Sequence, residues 1–179
     1  MNKTILIIIL ILVIIAAAFL WQYRENFGSV NILYNDTTDN NTDNNTDNNT
    51  IPQNKTLDLS NKGLTSVPSY VFNQTNLEEL NVSRNSLTGA IQSQIGQLKN
   101  LKVLNASYNQ MTGVPAEVGQ LQNLQILDLS YNQLTGLPNE LGNLKNLKTL
   151  NLSGNSYSQQ DLAGIRSKLP STVNIIVSQ

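Results

Sequence analysis

A pattern of apolar residues recurs at a nearly constant interval in the C-terminal part of the chain, and it restricts the possible folds more than any other feature. Equivalent positions hold Leu57, Leu80, Leu104, Leu127 and Leu150, at intervals of 23, 24, 23 and 23 residues. A second apolar residue stands two positions later. In four copies an asparagine follows three positions further on, at Asn85, Asn109, Asn132 and Asn155. One such unit is too short to bury its own apolar face, so the copies are expected to stack around a shared core.

The residue types within one copy predict a short strand followed by a turn and a helical segment. In a strand, the two apolar side chains point inward and the residue between them points outward. Strands of successive copies would pair in parallel, so that each satisfies the backbone of the next. The asparagine can both donate and accept, so we expect it to bond the backbone of adjacent coils. Short helical turns carrying Val118, Leu121 and Leu124 would close the convex side.

These residues form the pattern L-x-x-L-x-L-x-x-N-x-L, and over residues 54–179 the chain resembles the leucine-rich-repeat family. The segment Leu134-Thr135-Gly136-Leu137-Pro138 is similar to the variant found in receptor-like ectodomains, although Gln92 stands where that variant has proline. The resemblance implies an α/β solenoid of short parallel strands with helical or irregular convex turns. It also implies a binding module, because family members that act as kinases or ligases carry a separate catalytic domain.

The last part of the chain is expected to cap the stack. Val173-Asn174-Ile175 mirrors Leu150-Asn151-Leu152 at a distance of 23 residues, which predicts a sixth strand. Residues 158–169 carry apolar side chains at helical spacing, and Pro170 follows them. This pattern predicts a terminal helix that covers the last coil.

The first 23 residues have the composition of a transmembrane anchor. Residues 4–21 contain no charged side chain, and as a helix they would rise roughly 27 Å, close to the thickness of a hydrocarbon core. Lys3 places positive charge before this segment, and Trp21 at its end and Tyr23 beyond it stand where interfacial aromatics are expected. A single-pass membrane protein is therefore predicted, with its N-terminus in the cytoplasm and its repeats outside. The alternative is a signal peptide cleaved near Ala16-Ala17-Ala18, which would also export the repeats.

Residues 24–51 are predicted to be a disordered linker. They contain Thr-Asp-Asn-Asn three times in succession, from Thr38 to Asn49. A segment with so little apolar surface cannot offset the entropy lost on ordering. The repeat domain is therefore placed at residues 52–179. The outer edge of its first strand, at Leu57, is expected to be covered by residues 51–52, by the apolar residues 30–33 or by a partner.

Composition excludes several kinds of site. The chain has no cysteine and no histidine, which removes thiol nucleophiles, disulfides, Cys/His zinc sites and a histidine general base. Residues 52–179 hold nine basic and seven acidic side chains, too balanced and too scattered for a nucleic-acid footprint. Asp58 and Asp128 should lie three strands apart, too far for an acid–base pair. We therefore expect no enzyme activity, no catalytic residue, no metal and no cofactor.

The outward positions of the strands form the surface on which a ligand could bind. Stacking the copies predicts three ladders, namely Thr56, Glu79, Val103, Ile126 and Thr149, then Asp58, Asn81, Asn105, Asp128 and Asn151, and finally Asn61, Arg84, Tyr108, Tyr131 and Gly154. The candidate site is an amphipathic patch of a composition enriched in interfaces, made of Arg84, Tyr108, Tyr131, Val103, Ile126, Asn105 and Asp128. The alternative interpretation is that the tyrosines only cover strand backbone.

The predicted function is that of a membrane-tethered, extracytoplasmic module that binds a protein or peptide, or else a glycan, on its concave face. Residues 4–21 would provide its contact with the membrane, and no nucleic-acid partner is expected. One alternative is a structural or adhesive surface protein that associates with itself. The other is a cytosolic regulatory scaffold, which requires the opposite topology.

Overall fold

The computed structural model describes residues 55–178. The predicted anchor at residues 4–21 and the linker at residues 24–51 lie outside this range. Within it, no helix combines the length and the apolar character that a membrane crossing requires. The description below therefore concerns the repeat region alone.

Each repeat contributes one short strand to a single parallel sheet of six strands. In spatial order the strands are β1 (Thr56–Asp58), β2 (Glu79–Asn81), β4 (Val103–Asn105), β6 (Ile126–Asp128), β7 (Thr149–Asn151) and β8 (Asn174–Ile176). Leu80 pairs with Leu104, and Leu104 with Leu127, so the first five strands have the register that the leucine spacing predicts. A second parallel sheet has two strands, β3 (Thr88–Gly89) and β5 (Gln110–Met111).

Four 3₁₀ helices of five residues each close the convex side. They are η1 (Ser69–Asn73), η2 (Ser93–Gln97), η3 (Ala116–Gln120) and η4 (Asn139–Asn143). Proline precedes three of them and Gln92 precedes η2, where its side-chain amide donates to the carbonyl of Val67 at 2.8 Å. Proline favours this position because its φ is already close to the helical value. The apolar side chains of these helices and of the strands form one continuous buried core.

The asparagine ladder joins consecutive coils through side-chain amides that are buried at Asn109 and Asn132 and half-buried at Asn85 and Asn155. The side-chain oxygen of Asn132 accepts from the backbone N–H of Met111, and its nitrogen donates to the carbonyls of Ala106, Leu129 and Ser130. Asn85, Asn109 and Asn155 make the same kind of bonds in their own coils. These bonds take the place of strand pairing where the chain turns away from the sheet.

The C-terminal cap contains the expected helix, but the last strand is displaced. Helix α1 (Gln159–Arg166) begins after Ser158, whose hydroxyl accepts from two backbone N–H groups, and it buries Leu162 and Ile165. The prediction that Val173 pairs with Leu150 is wrong, because Ile175 occupies that position. An α-helix and its following turn use more chain than the five-residue 3₁₀ helix of the other coils. A displacement of two residues leaves the same face of the strand inward, so the core tolerates it.

Candidate functional site

The third ladder has an unusual backbone conformation in every coil. Asn61, Arg84, Tyr108 and Tyr131 have φ values between 53° and 56°, and Gly154 has a φ of 66°. Their backbone N–H groups continue the inter-coil ladder, as Arg84 donates to the carbonyl of Ser107 at 3.0 Å. This left-handed conformation costs a residue other than glycine about 1–2 kcal/mol. The solenoid geometry therefore imposes it, and the identity of the side chain does not.

Arg84, Tyr108 and Tyr131, which we call the concave column, stack on one another across three coils. The guanidinium carbon of Arg84 lies 4.6 Å from the ring centroid of Tyr108. The rings of Tyr108 and Tyr131 are stacked with their centroids 4.5 Å apart and their planes 16° from parallel. Tyr108 and Tyr131 are nevertheless 43% and 50% exposed as whole residues. Sequence reasoning predicted that these residues lie together, and the structure adds that their planar groups form a stack.

Gly154 ends the concave column. A Cβ atom at this position would lie 2.7 Å from Cδ1 of Tyr131, closer than such atoms approach in proteins. The Tyr131 ring therefore occupies the space that a side chain at position 154 would need. Sequence reasoning placed Gly154 in the ladder but gave it no part in the candidate site. The sequence signal for such a part was a glycine, which has no side chain, at the ladder position that follows two tyrosines.

Two of the predicted ligand-binding residues also hold the turn that follows each strand. Oδ1 of Asn105 accepts from the N–H and the hydroxyl of Ser107, and Oδ1 of Asp128 accepts from the same groups of Ser130. The other carboxylate oxygen of Asp128 accepts from the Asn151 amide at 3.3 Å. Sequence reasoning missed the role of the buried serines. A serine two residues after Asp or Asn is a signal for this turn.

The apolar members of the candidate site are adjacent in the sheet. Val103 pairs with Ile126 in register, Val103 is half-buried, and Ile126 is 40% exposed. They belong to the outward positions of β4 and β6, the strands that precede Tyr108 and Tyr131. The structure thus places all seven predicted residues on one face of three consecutive coils. Their role in binding stays a prediction.

Charge is concentrated where the strands begin, outside the candidate site. Glu78 lies between two lysines, 2.7 Å from Nζ of Lys55 and 2.6 Å from Nζ of Lys102. Hydrogen bonds from Lys102 and then from Lys55 lower the pKa of Glu78 to about 2, against an ordinary value of 4.5. This group connects the first three coils. Asp58 and Asp128 lie on β1 and β6, with β2 and β4 between them, so they form no carboxylate pair.

The solenoid, its asparagine ladder and its inward leucines define a protein built from leucine-rich repeats. Family models described as leucine rich repeat match residues 52–111, 99–156 and 146–167, which together cover more than half of the chain. The chain belongs to this family.

Three proteins from different organisms are similar to this chain. A leucine-rich-repeat protein of Leptospira interrogans is 40% identical with a TM-score of 0.58, over 62% of this chain and 28% of that one. A plant peptide hormone receptor, solved in complex with RGF2, is 29% identical with a TM-score of 0.55, over 69% and 24% of the two chains. Adenylate cyclase of Schizosaccharomyces pombe is 37% identical over 86 residues, which are 48% of this chain and 5% of that protein. The chain spans only a small part of each of these relatives.

Proposed function

We propose that this chain is a membrane-tethered, extracytoplasmic recognition module that binds a protein or peptide on its concave face. The observation that carries the proposal is the concave column, a stacked but largely exposed group of one arginine and two tyrosines. Tyrosine and arginine are the residue types that most often dominate the binding energy of an interface. The similarity to a plant peptide hormone receptor supports the same kind of partner.

The fold itself does not require large side chains in the column. The first coil has asparagine at this position and the fifth has glycine, with nearly the same φ and the same backbone hydrogen bond. A tyrosine is moreover a strained choice for a left-handed backbone. The interpretation that the tyrosines merely cover the strands is therefore weaker than a binding role.

Binding is tested by replacing both tyrosines with the residue that the first coil carries. The Tyr108→Asn, Tyr131→Asn double variant keeps a side chain known to fit this backbone, because Asn61 has it. Proteins captured by the wild-type full chain would be identified and then titrated against this variant and against Lys99→Glu on the convex side. We expect the tyrosine variant to lose about 2 kcal/mol or more of binding free energy, while its thermal unfolding shifts only slightly. Normal binding by the tyrosine variant, or a loss confined to Lys99→Glu, would contradict the concave-face proposal.

The membrane tether and the extracytoplasmic location rest on the sequence of residues 1–51. An uncharged stretch at residues 4–21, with Lys3 before it, is consistent with an N-terminus inside and repeats outside. Protease added to intact cells should cut within residues 35–50 and release the repeat region. Repeats that stay protected until the cells are lysed would contradict export. A mature N-terminus near Phe19 would contradict only the retained anchor.

Self-association is a second candidate function, favoured by the edge of the sheet. Among the described residues, β8 pairs only with β7, and Ile176 and Val177 beside this edge are 36% and 40% exposed. Exposed apolar edge strands are templates for pairing with another chain. Analytical ultracentrifugation of the full chain in detergent would detect oligomers, and Val177→Lys should then dissociate them. A monomer at micromolar concentration would exclude this candidate.

We infer that the chain has no enzymatic activity of its own. The match to adenylate cyclase of Schizosaccharomyces pombe covers only 5% of that enzyme, and leucine-rich-repeat models match this chain. Incubating the full chain with ATP and a divalent cation tests for adenylate cyclase activity, which the name of that relative indicates. Formation of cyclic AMP would contradict this inference.

A further inference from the structure

Both ring faces of Tyr108 are already in contact with another group. Tyr108 has Arg84 on one face and Tyr131 on the other. The Tyr131 ring in turn fills the space that a side chain at Gly154 would need, since a Cβ there would lie 2.7 Å from its Cδ1. A sugar that binds aromatic residues needs an open ring face on which to stack. Tyr108 therefore offers a ligand only its edge and hydroxyl group.

Unlike the ring faces of Tyr108, the hydrogen-bonding edge of the Arg84 guanidinium is free. Stacking uses the face of the guanidinium, whereas its five N–H donors lie in the plane. Both ion pairs among the described residues involve Glu78 with a lysine, and the Arg84 guanidinium makes no hydrogen bond to any described residue. The stack also limits the rotamers of Arg84, so a partner would meet an already oriented cation.

The strand position beside the column supplies one donor suited to a peptide backbone. Oδ1 of Asn105 is used by the Ser107 turn, but its Nδ2 donates to no described group. Asn81 on the neighbouring strand is already engaged, because its Oδ1 accepts from Ser83 and its amide hydrogen-bonds the carboxylate of Asp58. The Asn105 amide can bond a carbonyl group of an extended segment lying across the coils.

We propose that the concave column binds an extended peptide segment through an acidic side chain, whose carboxylate accepts hydrogen bonds from the guanidinium of Arg84. This inference rests on the proposed function and specifies its ligand. A carboxylate suits a single arginine, because the guanidinium edge matches it in a bidentate geometry. Phosphorylated motifs are instead held by clusters of arginines. In the three outward ladders Arg84 is the only basic side chain, beside the carboxylates Asp58, Glu79 and Asp128, so the surface suits one carboxylate opposite Arg84 and not a multiply charged group. Glycan binding by stacking on Tyr108 is not expected.

The test uses a phage-displayed library of random peptides, selected on the full chain in lipid nanodiscs. Peptides retained by the wild type should be enriched in Asp and Glu relative to the input library. For the best of them, Arg84→Asn should raise the Kd by about tenfold or more, as expected for loss of a charged hydrogen bond. Asparagine fits the backbone of this position, as Asn61 shows. Arg166→Asn, at an exposed arginine of α1, is the matched control and should change the Kd by about twofold or less.

The outcomes separate this inference from the proposed function. Peptides that lose binding in the tyrosine double variant but show no Asp or Glu enrichment, or bind Arg84→Asn unchanged, would overturn the acidic-peptide inference alone. A wild-type chain that retains no tyrosine-dependent peptide would contradict peptide recognition by this face altogether. An array of neutral oligosaccharides gives a separate test. Binding there that Tyr108→Asn alone abolishes would overturn the argument from the covered faces of Tyr108.

Discussion

In the asparagine ladder, the number of hydrogen bonds made by one amide overstates what its removal should cost. Asn132→Ala would remove one acceptor for the N–H of Met111 and one donor for the carbonyls of Ala106, Leu129 and Ser130. Met111 has no other acceptor among the described groups, so its buried N–H is left unpaired. The three carbonyls keep a second donor, because neighbouring coils share them.

This sharing predicts which pairs of asparagines are energetically coupled. The carbonyl of Ala106 accepts from both Asn109 and Asn132, so either amide alone can satisfy it. Removing both would leave this carbonyl without any donor inside the core. Asn109 and Asn155 bond no carbonyl in common, and they therefore provide a matched pair without coupling.

The magnitudes follow from the cost of an unpaired buried group. Asn109→Ala and Asn132→Ala should each lower the free energy of unfolding by about 1–3 kcal/mol, the cost of one orphaned N–H. The double variant should lose about 1 kcal/mol or more beyond the sum, because it also orphans the Ala106 carbonyl. For Asn109→Ala with Asn155→Ala, the losses should add to within about 0.5 kcal/mol.

Urea denaturation of the full chain, followed by circular dichroism, measures the free energy of unfolding of each variant. The set comprises the single variants Asn109→Ala, Asn132→Ala and Asn155→Ala and the two double variants. A double-mutant cycle then compares the adjacent pair with the distant pair. Additive losses for Asn109 and Asn132 would refute the shared-carbonyl reasoning. Equal coupling in both pairs would also refute it, because a general loosening of the solenoid would then be the cause.

Two further predictions concern Gly154, at the end of the concave column, and Glu78, which lies between two lysines where the strands begin. Gly154→Ala should destabilise the fold by about 1–2 kcal/mol and weaken the near-ultraviolet dichroism of the stacked tyrosines, because the residue has a positive φ and its Cβ would meet Tyr131. Gly113→Ala, with nothing within 4 Å and no such φ, should do neither. The folded state lowers the pKa of Glu78, so its stabilising effect is present above pH 4.5 and is lost as the pH falls toward about 2. The difference in urea midpoint between the wild type and Glu78→Gln should shrink over that range, and a constant difference would contradict the ion-pair assignment.

The repeat sequence determines the register of most of the sheet. Leucine spacing alone aligns five strands, because a slip of one residue would move every inward leucine to the solvent face. It does not align the sixth. Val173 and Ile175 both face inward, so the apolar pattern allows either to pair with Leu150, and the length of the preceding helix and turn decides between them.

The candidate site could be predicted as a set of neighbours but not as a geometry. Register alone brings Arg84, Tyr108 and Tyr131 onto adjacent coils. Their stacking depends on side-chain rotamers and on the left-handed backbone, and neither follows from residue spacing. The role of Gly154 depends in turn on where the Tyr131 ring lies. The turn-holding role of Asn105 could have been recognised, since a serine follows two residues later.

The solenoid separates the residues that stabilise the fold from those available for recognition. Each coil must place one residue in the left-handed conformation, and its backbone N–H satisfies the ladder whatever the side chain is. The core leucines and the asparagine amides provide the stability on the inward side. Asparagine, arginine, tyrosine and glycine can therefore all occupy this position in one protein. Consecutive coils lie about 4.8 Å apart, and planar side chains at this spacing can contact face to face. Substitutions at one position in adjacent coils therefore suffice to build a column of stacked side chains.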